Sequence, residues 1–219
     1  MIMAEREDAH SHILIKLSVW IFLLLILAVI ALSYIFGVVV EPGYIGVRQI
    51  TVALPLGPKQ GFSDVGLTSG YHWNIPFYSR ILFIPKTLQI IHIHRDTSLY
   101  PESEGALEVQ TTDGSSVLVD ISVVFRYLEA PGTTTVGEKI YSHGGPADLL
   151  KGLGSSQKMW RNTVRKVSID ELRRALGRLS TSEFYIPQKR QDEIKEAKAN
   201  INSKLLKFGI KVESVLLRR

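Results

Sequence analysis

From Leu17 to Val40 the chain carries no charged residue, reading LSVWIFLLLILAVIALSYIFGVVV, and Lys16 bounds it on the N-terminal side. Such a run is apolar on every side of a helix, so it has no polar face to turn toward water. At 1.5 Å of rise per residue, about twenty residues match a hydrocarbon layer of roughly 30 Å, and the run predicts a transmembrane helix over 17–40 after a short tail at 1–16. A secretory leader has a shorter apolar stretch before a small-residue cleavage site, the feature that Ala28 and Ala31 would have to supply. A buried core helix would need a larger body around it than the roughly 180 residues that follow. Trp20 and Tyr34 lie toward the two ends, where amphipathic rings favour the membrane interface, and Lys16 is placed to extend its ammonium to the headgroups.

Beyond Glu41 the period falls to two. Tyr44 to Gln49 and Thr51 to Leu54 predict short strands, followed by a loop rich in Pro and Gly through Gly70. RILFIPKTLQIIHIH over 80–94 predicts two strands, with Pro85 forcing the interruption between them. Ala106 to Thr111 and Val117 to Tyr127 flank Asp113-Gly114, a pair suited to a tight turn, and predict a hairpin. In the return strand Val117, Val119, Ile121, Val123, Phe125 and Tyr127 face one way, while Asp120, Ser122 and Arg126 face the other. That alternation implies an antiparallel sheet with one dry face.

After the Pro131-Gly132 loop the period lengthens to that of a helix. TTTV and Gly144-Gly145-Pro146 read as connectors, and Ala147 to Leu153 predicts a short helix. Ser155 or Ser156 caps a second helix carrying Met159, Trp160, Val164 and Val167. Ser168-Ile-Asp-Glu171 has the pattern of a capping box, which predicts a third helix from Ile169 to about Gly177. Ser180 to Ser182 offer caps for a longer helix with Pro187 in its first turn, and Ile194, Ala197, Ile201, Leu205 and Phe208 form its apolar stripe. Gly209 ends it, and Lys211 to Leu217 alternates as a last strand. The assembled class is α+β, with packed helices on an antiparallel or mixed sheet.

Charge adds little direction. There are 26 basic and 21 acidic residues, with the basic excess concentrated from Lys151 onward. Arg6 and Lys16 precede the apolar run while Arg48 and Lys59 follow it, and His10 and His12 add charge only when protonated, so loop charge assigns no orientation. No zinc spacing, RNA-binding aromatic motif or basic arm points to nucleic acid. Absence of cysteine removes disulfides and thiolate chemistry together.

Candidate chemistry is equally sparse. Asp113 serves its turn, His72 sits in a loop between Tyr71 and Trp73, and Asp120 and Arg126 stand too far apart along one strand to pair. His92 and His94 share a strand face, an arrangement that can chelate a metal but lacks an evident third ligand. There is no G-x-S-x-G elbow, no H-E-x-x-H and no phosphate loop; Gly57-Pro-Lys-Gln-Gly61 lacks the required ending, and Gly152-Leu-Gly-Ser-Ser reads as a helix break. The expectation is no enzyme, with no catalytic, cofactor-binding or metal-ligating residue. Arg161, Arg165, Lys166, Arg173 and Arg174 remain as candidates for charged pairs with a neighbouring copy or an acidic partner.

The order of these pieces resembles the stomatin, prohibitin and flotillin superfamily, also called SPFH or band 7. The resemblance rests on the apolar run, Glu41-Pro-Gly-Tyr-Ile-Gly-Val47, Gly70-Tyr-His-Trp-Asn-Ile-Pro-Phe77 and Thr112-Asp-Gly114. It continues through Val117 to Tyr127, the Arg161 region with Ser168-Ile-Asp-Glu-Leu172, and Phe208-Gly-Ile-Lys-Val212. It departs from the family at Ser69-Gly70-Tyr71-His72, in the long 54–68 insertion and in the Gly-rich 130–153 connector. The resemblance implies a first subdomain over 41–129, mostly β and partly touching lipid, and a second, α/β, over 130–219. It implies a membrane scaffold whose copies, or copies with a paralogous subunit, associate laterally into a ring or cage. Such an enclosure organises a membrane microdomain and segregates or regulates membrane proteins, an AAA+ membrane protease among them. The rival is a regulatory adaptor of small stoichiometry. A single-pass anchor in a bacterial inner membrane is implied, with the side left open. Family members continue into a long Ala- and Glu-rich assembly helix, whereas this sequence stops at Arg218-Arg219, so either it is a piece of a longer chain or this member lacks that helix.

Overall fold

A computed structural model describes residues 2–53, 59–96, 98–103, 105–136 and 139–218, with the side chains of 2–15 and 139 outside that description. The first helix, α1, runs Ile2–Phe36. The tail expected before residue 17 therefore continues the same helix. At its other end α1 stops short of the expected Val40: Gly37 interrupts it, and β1 takes Gly37–Val40. Three consecutive valines after a glycine favour extended backbone, because β-branching restricts χ1 in a helix.

Among the described residues ten further strands and four α-helices follow. β2 spans Tyr44–Ile50, β3 Gly61–Phe62, β4 Gly70–Trp73, β5 Ser79–Pro85 and β6 Gln89–Ile93. β7 is Leu107–Gln110 and β8 Ser116–Tyr127, with Asp113-Gly114 in the turn between them. The second strand expected at 51–54 is not formed at Thr51 to Ala53, and Leu54 lies outside the described residues. The stretch read as a connector forms a hairpin instead, β9 Gly132–Val136 with β10 Lys139–His143. Its Thr and Val residues are strand formers whose signal short turn segments obscured.

Every described strand pairing is antiparallel. β1 and β4 form a ribbon, β3-β2-β5 a small sheet, and β11, over Ile210–Arg218, joins β8 and β6 in the order β11-β8-β6, a larger sheet to which β7 adds along β8. The predicted alternation of β8 holds: Val119, Ile121, Val123, Phe125 and Tyr127 are buried, whereas Leu118 and Arg126 are exposed.

Against the dry face lie α2 Pro146–Leu153, α3 Gln157–Leu176 and α5 Pro187–Leu205, with the short α4 Thr181–Phe184 between the last two. Trp160, Val164, Leu172 and Leu176 from α3 meet Ala197, Ile201 and Leu205 from α5 in the core that holds Ile121 and Phe125. The core also takes Ile45, Val47 and Ile84 from β2 and β5. Pro187 occupies the first turn of α5, as expected of a residue without an N–H. The last strand, β11, runs Ile210–Arg218 after Gly209 turns the chain in the left-handed region at φ 71°.

The expected helix break at Ser168 does not occur, for α3 passes straight through it. Ser168 and Glu171 stand on the buried stripe set by Trp160, Val164 and Leu172, and Ser168 Oγ has no hydrogen-bond partner among the described residues. Glu171 accepts from Arg174 at 3.0 Å and Lys204 at 2.6 Å, instead of reaching back to cap a helix. The helical stripe outcompetes the local capping pattern, because continuing α3 buries apolar residues on both sides of Ser168. The cap expected at Ser180 to Ser182 forms at Ser180, but on the short α4 and not on the long helix, which starts separately at Pro187 after Ile186: Ser180 Oγ accepts from Glu183 N, and Glu183 accepts from Ser180 N.

One polar residue ties the last two elements together. Asn202, fully buried on α5, donates to Val212 O at 3.1 Å and accepts from Val212 N at 2.8 Å, next to the register shift between Val212 and Ser214. Asn202→Ala is expected to lower stability by about 3 kcal/mol, since both groups of Val212 are left buried and unpaired. The shift in chemical-denaturation midpoint measures it, and an unchanged midpoint removes Asn202 from the supports of β11.

Candidate functional site

The part of α1 from Lys16 to Phe36 is 21 residues long, with a mean hydropathy of 2.9 and none of its most apolar window buried. It is long and apolar enough to cross a membrane. Where it meets the rest of the chain, the joint is closely packed. Tyr71 Oη donates to Ser33 O at 2.7 Å, and Asn74 N donates to Phe36 O at 2.6 Å. Arg48, reaching over from β2, donates to Trp73 O at 2.6 Å. A Cβ on Gly37 would fall inside the Tyr71 ring and hydroxyl and within 2.5 Å of Ser33 O, so only glycine lets the tyrosine lie across the end of the helix.

Register decides what this joint presents. Gly37 faces Trp73 and Val39 faces Tyr71 across the ribbon. Directly opposed residues share a face. Val39, Tyr71 and Trp73 are therefore exposed together, with the two rings edge to face at 5.8 Å. Immediately downstream, Ile75 O accepts from Tyr78 N at 3.2 Å and from Ser79 N at 3.0 Å, closing a turn that presents Ile75 and Phe77. Phe77 is 96% exposed and adopts φ 69°, a left-handed conformation that a bulky residue rarely takes. Pro76 and Phe77 fill the central positions of that turn, where the second normally demands glycine. A strained, exposed phenylalanine beside an apolar helix end marks a surface made for contact.

Gly37→Ala is expected to destabilise the joint by about 1–3 kcal/mol, the ordinary cost of overpacking. Limited proteolysis of the membrane-reconstituted chain should then cut faster between 33 and 45 than in the unmodified chain. Equal cutting rates would mean that the joint is loose already.

Elsewhere the candidates of the sequence are occupied within the fold. His72 bonds Thr68 O at 2.6 Å. Arg126 pairs with Glu213 at 2.7 Å, and Asp120 accepts from Arg95 N at 2.8 Å. Asp113 accepts from the Thr111 hydroxyl, and from both N and Oγ1 of Thr181, pinning the β7–β8 turn to the start of α4. Those hydroxyl and amide donors hold its carboxyl well below the usual carboxylate range, the Thr111 bond most of all. The stability it contributes is therefore present at neutral pH, begins to be lost as the solution is acidified into the usual carboxylate range, and is gone only once the pH falls through the lower pKa of the folded state.

His92 and His94 both contact Ser122 Oγ, at 3.0 and 2.9 Å, and Tyr100 stacks on the His94 ring and lies tilted against that of His92. Burial first, then the His94 ring and Arg161, lower the pKa of His92, while Glu102 opposes them. The described residues contain no group of three or more His, Cys, Asp or Glu placed to hold a metal ion.

The arginines of α3 are also engaged internally. Arg161 donates to Glu102 and to Ile90 O, Arg165 to Glu102 O, Arg173 to Glu108 O, and Arg174 to Glu171. The first three fasten α3 to β6, β7 and the loop between them, while Arg174 pairs within α3, so most of the charged row expected to meet a neighbouring molecule is spent within the chain. Lys166 is exposed beside it. Arg6, His10 and His12 and the 54–58 part of the insertion lie outside the description of side chains.

Sequence reasoning reached Tyr71, Trp73 and Phe77 but not the joint. Its signal was Gly37 within an otherwise unbroken apolar run, the single residue there able to admit a ring against a helix end.

No curated protein matches the chain significantly. The model of the SPFH domain / Band 7 family matches residues 38–219, beginning inside β1, where the apolar helix has just ended. That match takes in every element from the Tyr71 ribbon to β11, and the chain belongs to the SPFH domain / Band 7 family.

Proposed function

We propose that this protein is a membrane-anchored scaffold whose copies associate side by side, organising a patch of bilayer and segregating or regulating other membrane proteins. The observation that carries this reading is the closed joint between helix and domain. With Tyr71 bonded to Ser33 and Gly37 admitting its ring, the domain keeps one orientation relative to the end of α1. Trp73, Ile75 and Phe77 then lie at the level of the helix end, where aromatic and apolar side chains partition into a bilayer interface.

Fixed orientation matters for assembly. Subunits confined to one plane in one orientation meet at high effective concentration, and weak lateral contacts that repeat by rotation close into a ring. β11 supports this reading as an edge strand of the large sheet, with Leu216 exposed on it. An edge strand is an available surface for a neighbour. A membrane protease among the segregated proteins, a paralogous second subunit and a bacterial inner membrane belong to this proposal as its finer parts.

Electron microscopy of particles extracted from native membranes in mild detergent tests it. A narrow population of large closed particles is expected. Monomers, or one-to-one complexes with a single partner, would replace the scaffold with an adaptor.

A further inference from the structure

Beside the joint is a shallow groove of about 300 Å³ lined by Val39, Glu41, Tyr44 and Phe83. Its walls are chemically specific. Tyr44 and Phe83 stand edge to face, 6.4 Å apart at 83°, and both are partly exposed. Glu41 and Tyr44 are the two ends of one turn, in which Tyr44 N donates to Glu41 O at 3.2 Å. Pro42 fills the first central position and Gly43, at φ 92°, the second, which is type II geometry and brings Glu41 and Tyr44 together on the groove. Gly43 O accepts from Lys86 N at 2.7 Å, so the turn is also tied to the end of β5.

The carboxylate lacks a counter-charge. Glu41 is exposed and forms no ion pair among the described residues, whereas Lys86 is paired with Glu129 at 2.9 Å and Arg48 is committed to Trp73 O. Its depth makes that costly. The 21 residues from Lys16 to Phe36 extend about 31 Å, enough to fill the hydrocarbon layer. Val39 is opposite Tyr71, whose hydroxyl reaches back to Ser33, so β1 stays against the helix end and the groove lies in the headgroup layer. A carboxylate among phosphates raises the local negative potential, and a cation relieves it. Two aromatic faces and a carboxylate around one recess are the ingredients of an ammonium site.

We propose that this groove binds the primary ammonium of a phosphatidylethanolamine headgroup, with Glu41 accepting its N–H bonds and Tyr44 and Phe83 supplying ring faces. The inference rests on the membrane reading above and deepens it by naming the lipid. Occupied, the groove would hold the domain down on the bilayer at a second point beside the helix.

The test uses the intact chain in nanodiscs containing equal amounts of phosphatidylethanolamine and phosphatidylglycerol, with lipids retained on the ejected protein counted by native mass spectrometry. Phosphatidylethanolamine should be retained over phosphatidylglycerol by about fivefold to tenfold. Tyr44→Leu and Phe83→Leu should each cut that ratio about threefold, and Glu41→Gln should bring it near parity. All three positions are partly or largely exposed, and far-UV circular dichroism of the variants should match the unmodified chain. Equal retention of the two lipids by the unmodified chain overturns the proposal, as does a preference that survives Glu41→Gln combined with Tyr44→Leu. Equal retention accompanied by smaller particles in those variants would assign the groove to a Lys or Arg of a neighbouring copy. A chain that never enters the nanodiscs sinks the membrane reading itself, and this inference with it.

Discussion

Replacing Leu24 and Leu27 together with arginine is expected to release the chain from membranes. Both are exposed leucines inside the Lys16–Phe36 segment, near its middle. On the scale set by membrane insertion, one arginine at a helix centre costs about 3 kcal/mol and a buried leucine contributes a further half, so the pair shifts partition by about 6–7 kcal/mol. No acidic residue occurs between 17 and 40 to neutralise them. The measurement is the fraction of intact chain that stays with membranes after an alkaline wash: nearly all for the unmodified protein, little for the variant. Leu24→Ala with Leu27→Ala should leave that fraction almost unchanged. An arginine variant that pellets as before would mean that the segment does not cross, and the proposed function would fall with it.

Ile121→Asp is expected to abolish folding of the domain. Ile121 is fully buried in the middle of β8, with Ile93 opposite on one side and Leu217 on the other, and it joins the core formed with α3 and α5. A carboxylate there lies among apolar core side chains and costs more than about 4 kcal/mol, a large share of the stability of an ordinary domain. Three residues away the same strand behaves differently. Leu118 is exposed and stands opposite Glu108, so Leu118→Lys places a cation across from a carboxylate and should change stability by about 0.5 kcal/mol or less. Thermal unfolding of both variants in mild detergent, followed by near-UV circular dichroism, decides it. Similar transitions would show that β8 is out of phase with the core.

Ser122 illustrates why one strand face is not a uniform category. By alternation it belongs with the wet side of β8, and composition alone makes it an indifferent position. Its hydroxyl nevertheless contacts both His92 and His94, and Tyr100 packs against both rings. Those partners come from β6 and the loop after it, 22 to 30 residues earlier in the chain, and no local pattern announces them.

The apolar run, the strand alternation of β8, the turn at Asp113-Gly114, Pro187 at a helix start and the stripe of α5 were all determined by the sequence. Each depends on the backbone period and the intrinsic preferences of neighbouring residues, which act over a few positions. The order of the motifs, carried over nearly the whole chain, was likewise enough to identify the family.

Tertiary structure decided the rest. Helix α3 runs through Ser168 because the packing of Trp160, Val164 and Leu172 against the sheet outweighs one local cap. The arginines of α3 turn inward because β6, β7 and the loop between them place carbonyls and a carboxylate within their reach. Above all, Gly37 changes from one more residue in an apolar run into the seat of the joint between helix and domain only when β4 returns from residue 70 and lays Tyr71 against it. Contacts between residues that far apart depend on where folding brings the chain back, which no short-range pattern encodes.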